Sequence, residues 1–131
     1  MRARLAVLAM GFGLLCVTPV FAHHSFSAEY DSNKVITLTG TVTAVDWMNP
    51  HMFFHIDVKG TDGKVTSWSL ENGNLSTLMR RGWRKDSLKI GDVVTVDAFL
   101  AKDGTSLGNA RSVKLADGKK LFSGSAGDET N

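Results

Sequence analysis

Cysteine is almost missing from this chain. Of 131 residues one is cysteine, Cys16. It lies in an N-terminal stretch built like an export signal, with Arg2 and Arg4 at the start, an apolar run over residues 5–17, and short side chains at Val20 and Ala22. Cleavage after Ala22 leaves a mature chain without disulfides, thiolate nucleophiles or tetrathiolate zinc sites. Such a composition suits an oxidising compartment. A basic excess is missing as well. Losing Arg2 and Arg4 takes the 15 basic residues to 13, equal to the 13 acidic ones. Nucleic-acid binders normally carry surplus positive charge to neutralise phosphates, so no nucleic-acid partner is expected. Nor is there a long hydrophobic run. The apolar stretch is shorter than the roughly 20 residues that span a bilayer, and the residues before Cys16 do not suit a lipid anchor. Residues 1–22 are therefore expected to be a signal peptide, with no membrane anchor after its removal.

Catalytic motifs are lacking too. Ser25, Ser67, Ser69 and Ser87 fall in no nucleophile motif, and no G-x-S-x-G occurs. No glycine loop of the phosphate-cradling kind is present. The carboxylates are scattered over predicted strands and turns without an evident acid–base pair. The chain is not expected to be an enzyme, and no catalytic residue is assigned.

What is present is a β-rich pattern with one helical stretch. Residues 23–34 form a polar lead. Over residues 35–47, Ile36, Leu38, Val42 and Ala44 alternate with Thr37, Thr39, Thr41 and Thr43, the period-two signal of a half-buried strand. Gly40 in its middle suggests a bulge or a tight bend. Asn49-Pro50 interrupts the pattern before a second strand over 52–59. Asp62-Gly63 marks a hairpin, followed by a third strand over 65–71. Asn74 is a candidate N-cap for a helix carrying Leu75, Leu78 and Met79, and Gly82 is its stop. Arg80, Arg81, Arg84 and Lys85 gather at that helix end, where positive charge complements the helix dipole. Strands follow over 93–101 and 110–115, with a short last one over 120–122. Residues 123–131 are rich in Gly, Ser and acidic residues and are expected to be a disordered tail. Three strands, a helix and two strands give the order of a five-stranded OB-fold-like Greek-key barrel, all-β apart from one short helix and placed at residues 35–122.

Histidine is sparse and unevenly placed. The four are His23, His24, His51 and His55. Cleavage after Ala22 would put His23 at the mature N-terminus, where its amine and imidazole form a chelating pair. His51 and His55 lie about 13 Å apart along an extended strand at roughly 3.3 Å per residue, too far to share one ion. A metal site using either therefore needs the N-terminus to fold back, and nitrogen ligation of this kind favours Cu(II). The face of strand two with His51, Phe53, His55 and Asp57 lies opposite the core face of Met52, Phe54, Ile56 and Val58. In OB-folds the face of strands two and three is the usual ligand surface. Trp47, Asn49 and Phe53 are accordingly candidate ligand contacts. For the first two, packing on the helix and shaping of the Asn49-Pro50 turn are the plainer roles. Two functions remain open, an exported transition-metal (copper) binding module and a protein-interaction or small-ligand module without metal.

The runs His23-His24-Ser25-Phe26, Glu29-Tyr30-Asp31, Thr39-Gly40-Thr41-Val42, Trp47-x-Asn49-Pro50-His51, Arg81-Gly82-Trp83 with Leu88-x-x-Gly91-Asp92, Ala101-Lys102-Asp103-Gly104 and Asn109-Ala110-Arg111 resemble those of an uncharacterised family of small exported proteins of Gram-negative bacteria, a domain of unknown function. The resemblance covers nearly the whole mature chain. It implies a periplasmic single domain with no assigned activity, and it supplies no catalytic residues; the reading of the residues themselves leaves a metal ion or a periplasmic protein as the expected partner. At Glu71-Asn72-Gly73-Asn74 the chain departs from the glycine- and proline-containing loop of that family.

Overall fold

Three β-branched threonines alternating with Ile36 and Leu38 hold the chain extended, and the resulting strand organises the molecule. In the computed structural model, which describes residues 26–128, this is β1 (Tyr30–Asp46). A single turn of helix, α1 (Phe26–Glu29), precedes it. After β1 come β2 (Phe53–Lys59), β3 (Val65–Glu71), α2 (Leu75–Arg80), β4 (Val93–Ala101), β5 (Leu107–Leu115), β6 (Lys120–Phe122) and a 3₁₀ turn over Ala126–Asp128. The first part of β1 pairs antiparallel with β4 and its last part with β2. β2 pairs with β3, β4 with β5, and a short parallel seam joins β3 to β5. The pairings thus run in a ring, β1-β2-β3-β5-β4 and back to β1, with α2 in the chain between β3 and β4. This is the expected five-stranded OB-type architecture. β6 adds to the other part of the β5 edge. Among the described residues no helix is long and apolar enough to cross a membrane.

Local chemistry accounts for most element ends. Asn74 is extended, and its side-chain oxygen accepts from Thr77 N at 2.9 Å, capping α2. Gly82, at φ 94°, supplies the left-handed residue that follows the helix. Arg84 donates to the carbonyls of Met79 and Trp83, and Arg80 to Thr77 Oγ1, so this basic cluster serves the helix end. The alternation of β2 places Phe54 and Ile56 at 0% exposure in the main core with Leu70, Leu78, Trp83, Val94, Val96 and Val113. A smaller cluster joins Tyr30, Phe99 and Ala101, with Phe26 and Leu107 against it.

Gly40 sits where β1 passes from one partner to the next, with Thr41 facing both Val93 and Asp57. A Cβ at Gly40 would lie 2.5 Å from the carbonyl oxygen of Asp57. The obstacle is backbone, which cannot turn aside, so Gly40→Ala is expected to destabilise the barrel by about 3 kcal/mol, measured by urea unfolding.

Four expectations are corrected. Ala44 does not continue the core face. The β1–β2 register shifts between Val42 and Ala44, so Ala44 pairs with His55 while Val45 pairs with Phe54 and packs on the core. One extra residue in a bulge reverses the alternation beyond it. The polar lead overlaps β1, which begins at Tyr30 opposite Ala101. The fifth strand begins at Leu107 rather than at residue 110. Residues 123–128 are not a disordered tail. Ser123 and Ser125 are buried, Ser123 N donates to Arg111 O, and Ser123 O accepts from Gly73 N. Gly127 fills a position where a Cβ would come within 2.5 Å of the Phe26 and Phe99 rings. This strap is held by small residues and hydrogen bonds, so its low apolar content misled. His23, His24, the expected signal and residues 129–131 lie outside the described residues.

Candidate metal site

The Asp62-Gly63 hairpin fixes the register of β2 against β3, from Lys59↔Val65 out to Phe53↔Glu71. That register brings Glu71 beside His51, just before β2. Glu71 is 8% exposed and its Oε1 lies 2.5 Å from His51 Nδ1. The other carboxylate oxygen, Oε2, accepts from the Tyr30 hydroxyl. These three groups line a cleft of about 280 Å³ with Asn72, Asn109 and Ser125. Its walls come from α1, the start of β1, the end of β3 with the loop into α2 and Thr77 of α2, the start of β5, and the 123–128 strap. The strap is tied down where Ser125 Oγ donates to Asn109 Oδ1 at 2.5 Å and accepts from Gly127 N at 3.1 Å.

The electrostatics of the cleft follow from its lining. Among the described residues its lining includes Glu29, Glu71 and His51 and no lysine or arginine, so it favours positive charge. Burial, then the hydrogen bond to Glu71 and the nearby carboxylates, push the Tyr30 hydroxyl far above its ordinary range. Tyr30 therefore stays a donor. An ionised carboxylate can only accept, so the contact with Glu71 calls for a proton on His51 Nδ1, and a neutral imidazole in this geometry has its lone pair on Nε2. Among the described residues Nε2 has no hydrogen-bond partner, and the His51 side chain is 41% exposed.

The two described histidines are unlike, and His51, expected on the face of strand two, lies in the loop before it. His55 has Nδ1 3.0 Å from Ser69 Oγ and Nε2 3.1 Å from Asp46 Oδ2. Both ring nitrogens are engaged on the outer sheet face, away from the cleft lining. Trp47 is half-buried against the main core. Asn49 Oδ1 accepts from Leu75 N at 3.1 Å, which pins the Asn49-Pro50 loop to the start of α2. Phe53 is half-buried opposite Glu71. None of these three lines the cleft. Sequence reasoning missed Tyr30, Glu71, Asn72, Asn109 and Ser125. For Glu71 the signal was available, because counting back from the hairpin sets it next to His51. Asn72 follows Glu71 directly in the chain, whereas Tyr30, Asn109 and Ser125 meet it only through barrel closure.

Among the described residues no group of three or more His, Cys, Asp or Glu side chains is placed to hold a metal ion. Among the described residues the cleft thus offers the half-exposed His51 imidazole with its supporting carboxylate, and Glu29 on the lining, and any cage must draw further ligands from elsewhere.

Comparison with known proteins agrees with the architecture. None of the curated proteins matches the chain. Two crystal forms of the mitochondrial single-stranded DNA binding protein Rim1 from S. cerevisiae resemble it with a TM-score of 0.50 and 13% identity, over 63% of this chain and 93% and 92% of theirs. At that identity the likeness is one of fold, the OB-fold. A family model, "Family of unknown function (DUF6152)", matches residues 13–110. The chain belongs to this family of unknown function, DUF6152.

Proposed function

We propose that the protein is an exported, periplasmic binding module for a transition-metal ion, with Cu(II) favoured, and not an enzyme. The observation that carries this reading is His51, whose Nδ1 is held by a buried carboxylate while Nε2 has no hydrogen-bond partner among the described residues. Metal-ligating histidines are typically oriented in this way by a carboxylate on the other ring nitrogen. The mature N-terminus supplies the remaining ligands, the amine and imidazole of His23 with His24 as a further nitrogen. Phe26 lines the cleft, and His23 is three residues before it, within a reach of about 10 Å for an extended chain. Imidazole and amine nitrogens suit Cu(II), and the carboxylate-lined cleft, free of lysine and arginine among the described residues, suits a cation. The same lining and the near-neutral mature charge support a partner other than nucleic acid. His55 is assigned a structural role.

Calorimetry with Cu(II) on the mature chain beginning at His23, beside a copy with one added N-terminal residue, tests this. One-to-one binding is expected, weakened at least about 100-fold in the extended copy, or roughly 2.7 kcal/mol. Binding should also weaken in acid, since the nitrogen ligands must be deprotonated. Equal and weak binding by both copies would remove the metal reading and leave a small-ligand or protein-interaction module.

A further inference from the structure

We propose that Tyr30 is a positioning residue of the cleft. By occupying Oε2 of Glu71 it leaves Oε1 to accept from His51 Nδ1–H, and so fixes the imidazole tautomer whose open nitrogen is Nε2. The inference rests on the metal reading for its purpose, but its geometry does not depend on a metal.

The argument starts from the carboxylate. Glu71 has two oxygens on a side chain whose last torsion is soft and two-fold. Among the described residues no lysine or arginine is paired with it; its two contacts are the Tyr30 hydroxyl and His51. Without an anchor on one oxygen the group can turn, and His51 can then meet it with either nitrogen. Tyr30 is a rigid anchor. It is 2% exposed, its ring is stacked on Phe26 at 5.6 Å, and it packs with Phe99 and Ala101. Its backbone is held in the β1–β4 ladder opposite Ala101. A donor held on a strand by packed neighbours is the kind of support that keeps a first ligand in one geometry. The chain Tyr30–Glu71–His51 thus transmits the order of the small aromatic cluster to a half-exposed imidazole.

The test is made on metal-free, ¹⁵N-labelled protein by two-bond ¹H–¹⁵N correlation of the neutral imidazoles, which reports the tautomer directly. In the native protein His51 is expected as the Nδ1–H form. Tyr30→Phe keeps the ring and removes the hydroxyl, and is expected to move His51 toward the Nε2–H form. His55 is the internal reference, because its partners Ser69 and Asp46 are untouched and its signals should not move. Cu(II) affinity of Tyr30→Phe should fall about 10-fold. Retention of the Nδ1–H form in Tyr30→Phe would overturn the proposal, as would a native protein lacking that form. Glu71→Ala is a second variant with the same expected shift, and an unshifted His51 there would overturn it as well. Because the tautomer is read without metal, a failure to bind copper falls on the metal reading alone.

Discussion

Trp83→Ala is expected to cost about 4 kcal/mol of stability, the largest effect of any substitution considered. Trp83 is 0% exposed in the main core. The turn at Gly82 brings it there straight from the helix, with Trp83 N donating to Leu78 O at 3.0 Å. Its indole Nε1 donates to Phe122 O at 3.0 Å, tying the turn after α2 to β6. Truncation opens a cavity the size of an indole and removes that tie. The neighbours are strands of a closed ring and cannot move in to fill the space, so the cavity term stays near its full value. Trp83→Phe keeps most of the buried area and should lose roughly half as much. Urea unfolding of both variants checks this. A loss below about 1 kcal/mol for Trp83→Ala would mean that the core collapses freely around the site.

The second large effect separates the two described histidines. His51→Ala is expected to weaken Cu(II) binding at least about 10-fold with little change in stability, because the ring is half-exposed and makes one described contact. His55→Ala is expected to leave affinity within about 2-fold, since it lies off the cleft, and to cost about 1 kcal/mol of stability. Its ring bridges Asp46 of β1 and Ser69 of β3 across β2, so the loss loosens three strands together. Calorimetry and urea unfolding on the same two variants check both halves. Loss of binding in His55→Ala with retention in His51→Ala would place the site on the outer sheet face instead.

The contrast also shows what was legible in the sequence. Strands β3, β4 and β6 begin and end where alternation and turn residues place them. The Asn74 cap and the Gly82 stop are equally local. Such features depend on a few neighbouring residues, which a sequence displays directly. The bulge after Val42 was not legible, because Thr43 is as good a strand residue as its neighbours. The start of β5 was hidden for another reason. Gly108 and Asn109 have low strand propensity, yet Gly108 lies where a Cβ would meet Ala98 and Leu70 at 3.1 and 3.2 Å. A close approach of strands, visible only after closure, selects that glycine. The cleft shows the same division. His51 stood out by its chemistry, whereas Tyr30 and Ser125 reach it from segments far away in the chain.

The parallel seam has a dynamic consequence. The ring is closed between β3 and β5 by three residue pairs, Ser69↔Leu107, Leu70↔Gly108 and Glu71↔Asn109, while β1 and β4 share nine. Fluctuations that part the cylinder should begin at the shortest stitching. Glu71 and Asn109 line the cleft from opposite sides of it. Amide hydrogens along this seam should therefore exchange sooner than those between β1 and β4. An occupant bound to the closed form and not to the parted one slows that exchange by mass action. Occupancy of the cleft would then be visible as protection of the seam, even for a ligand with no spectroscopic signal of its own.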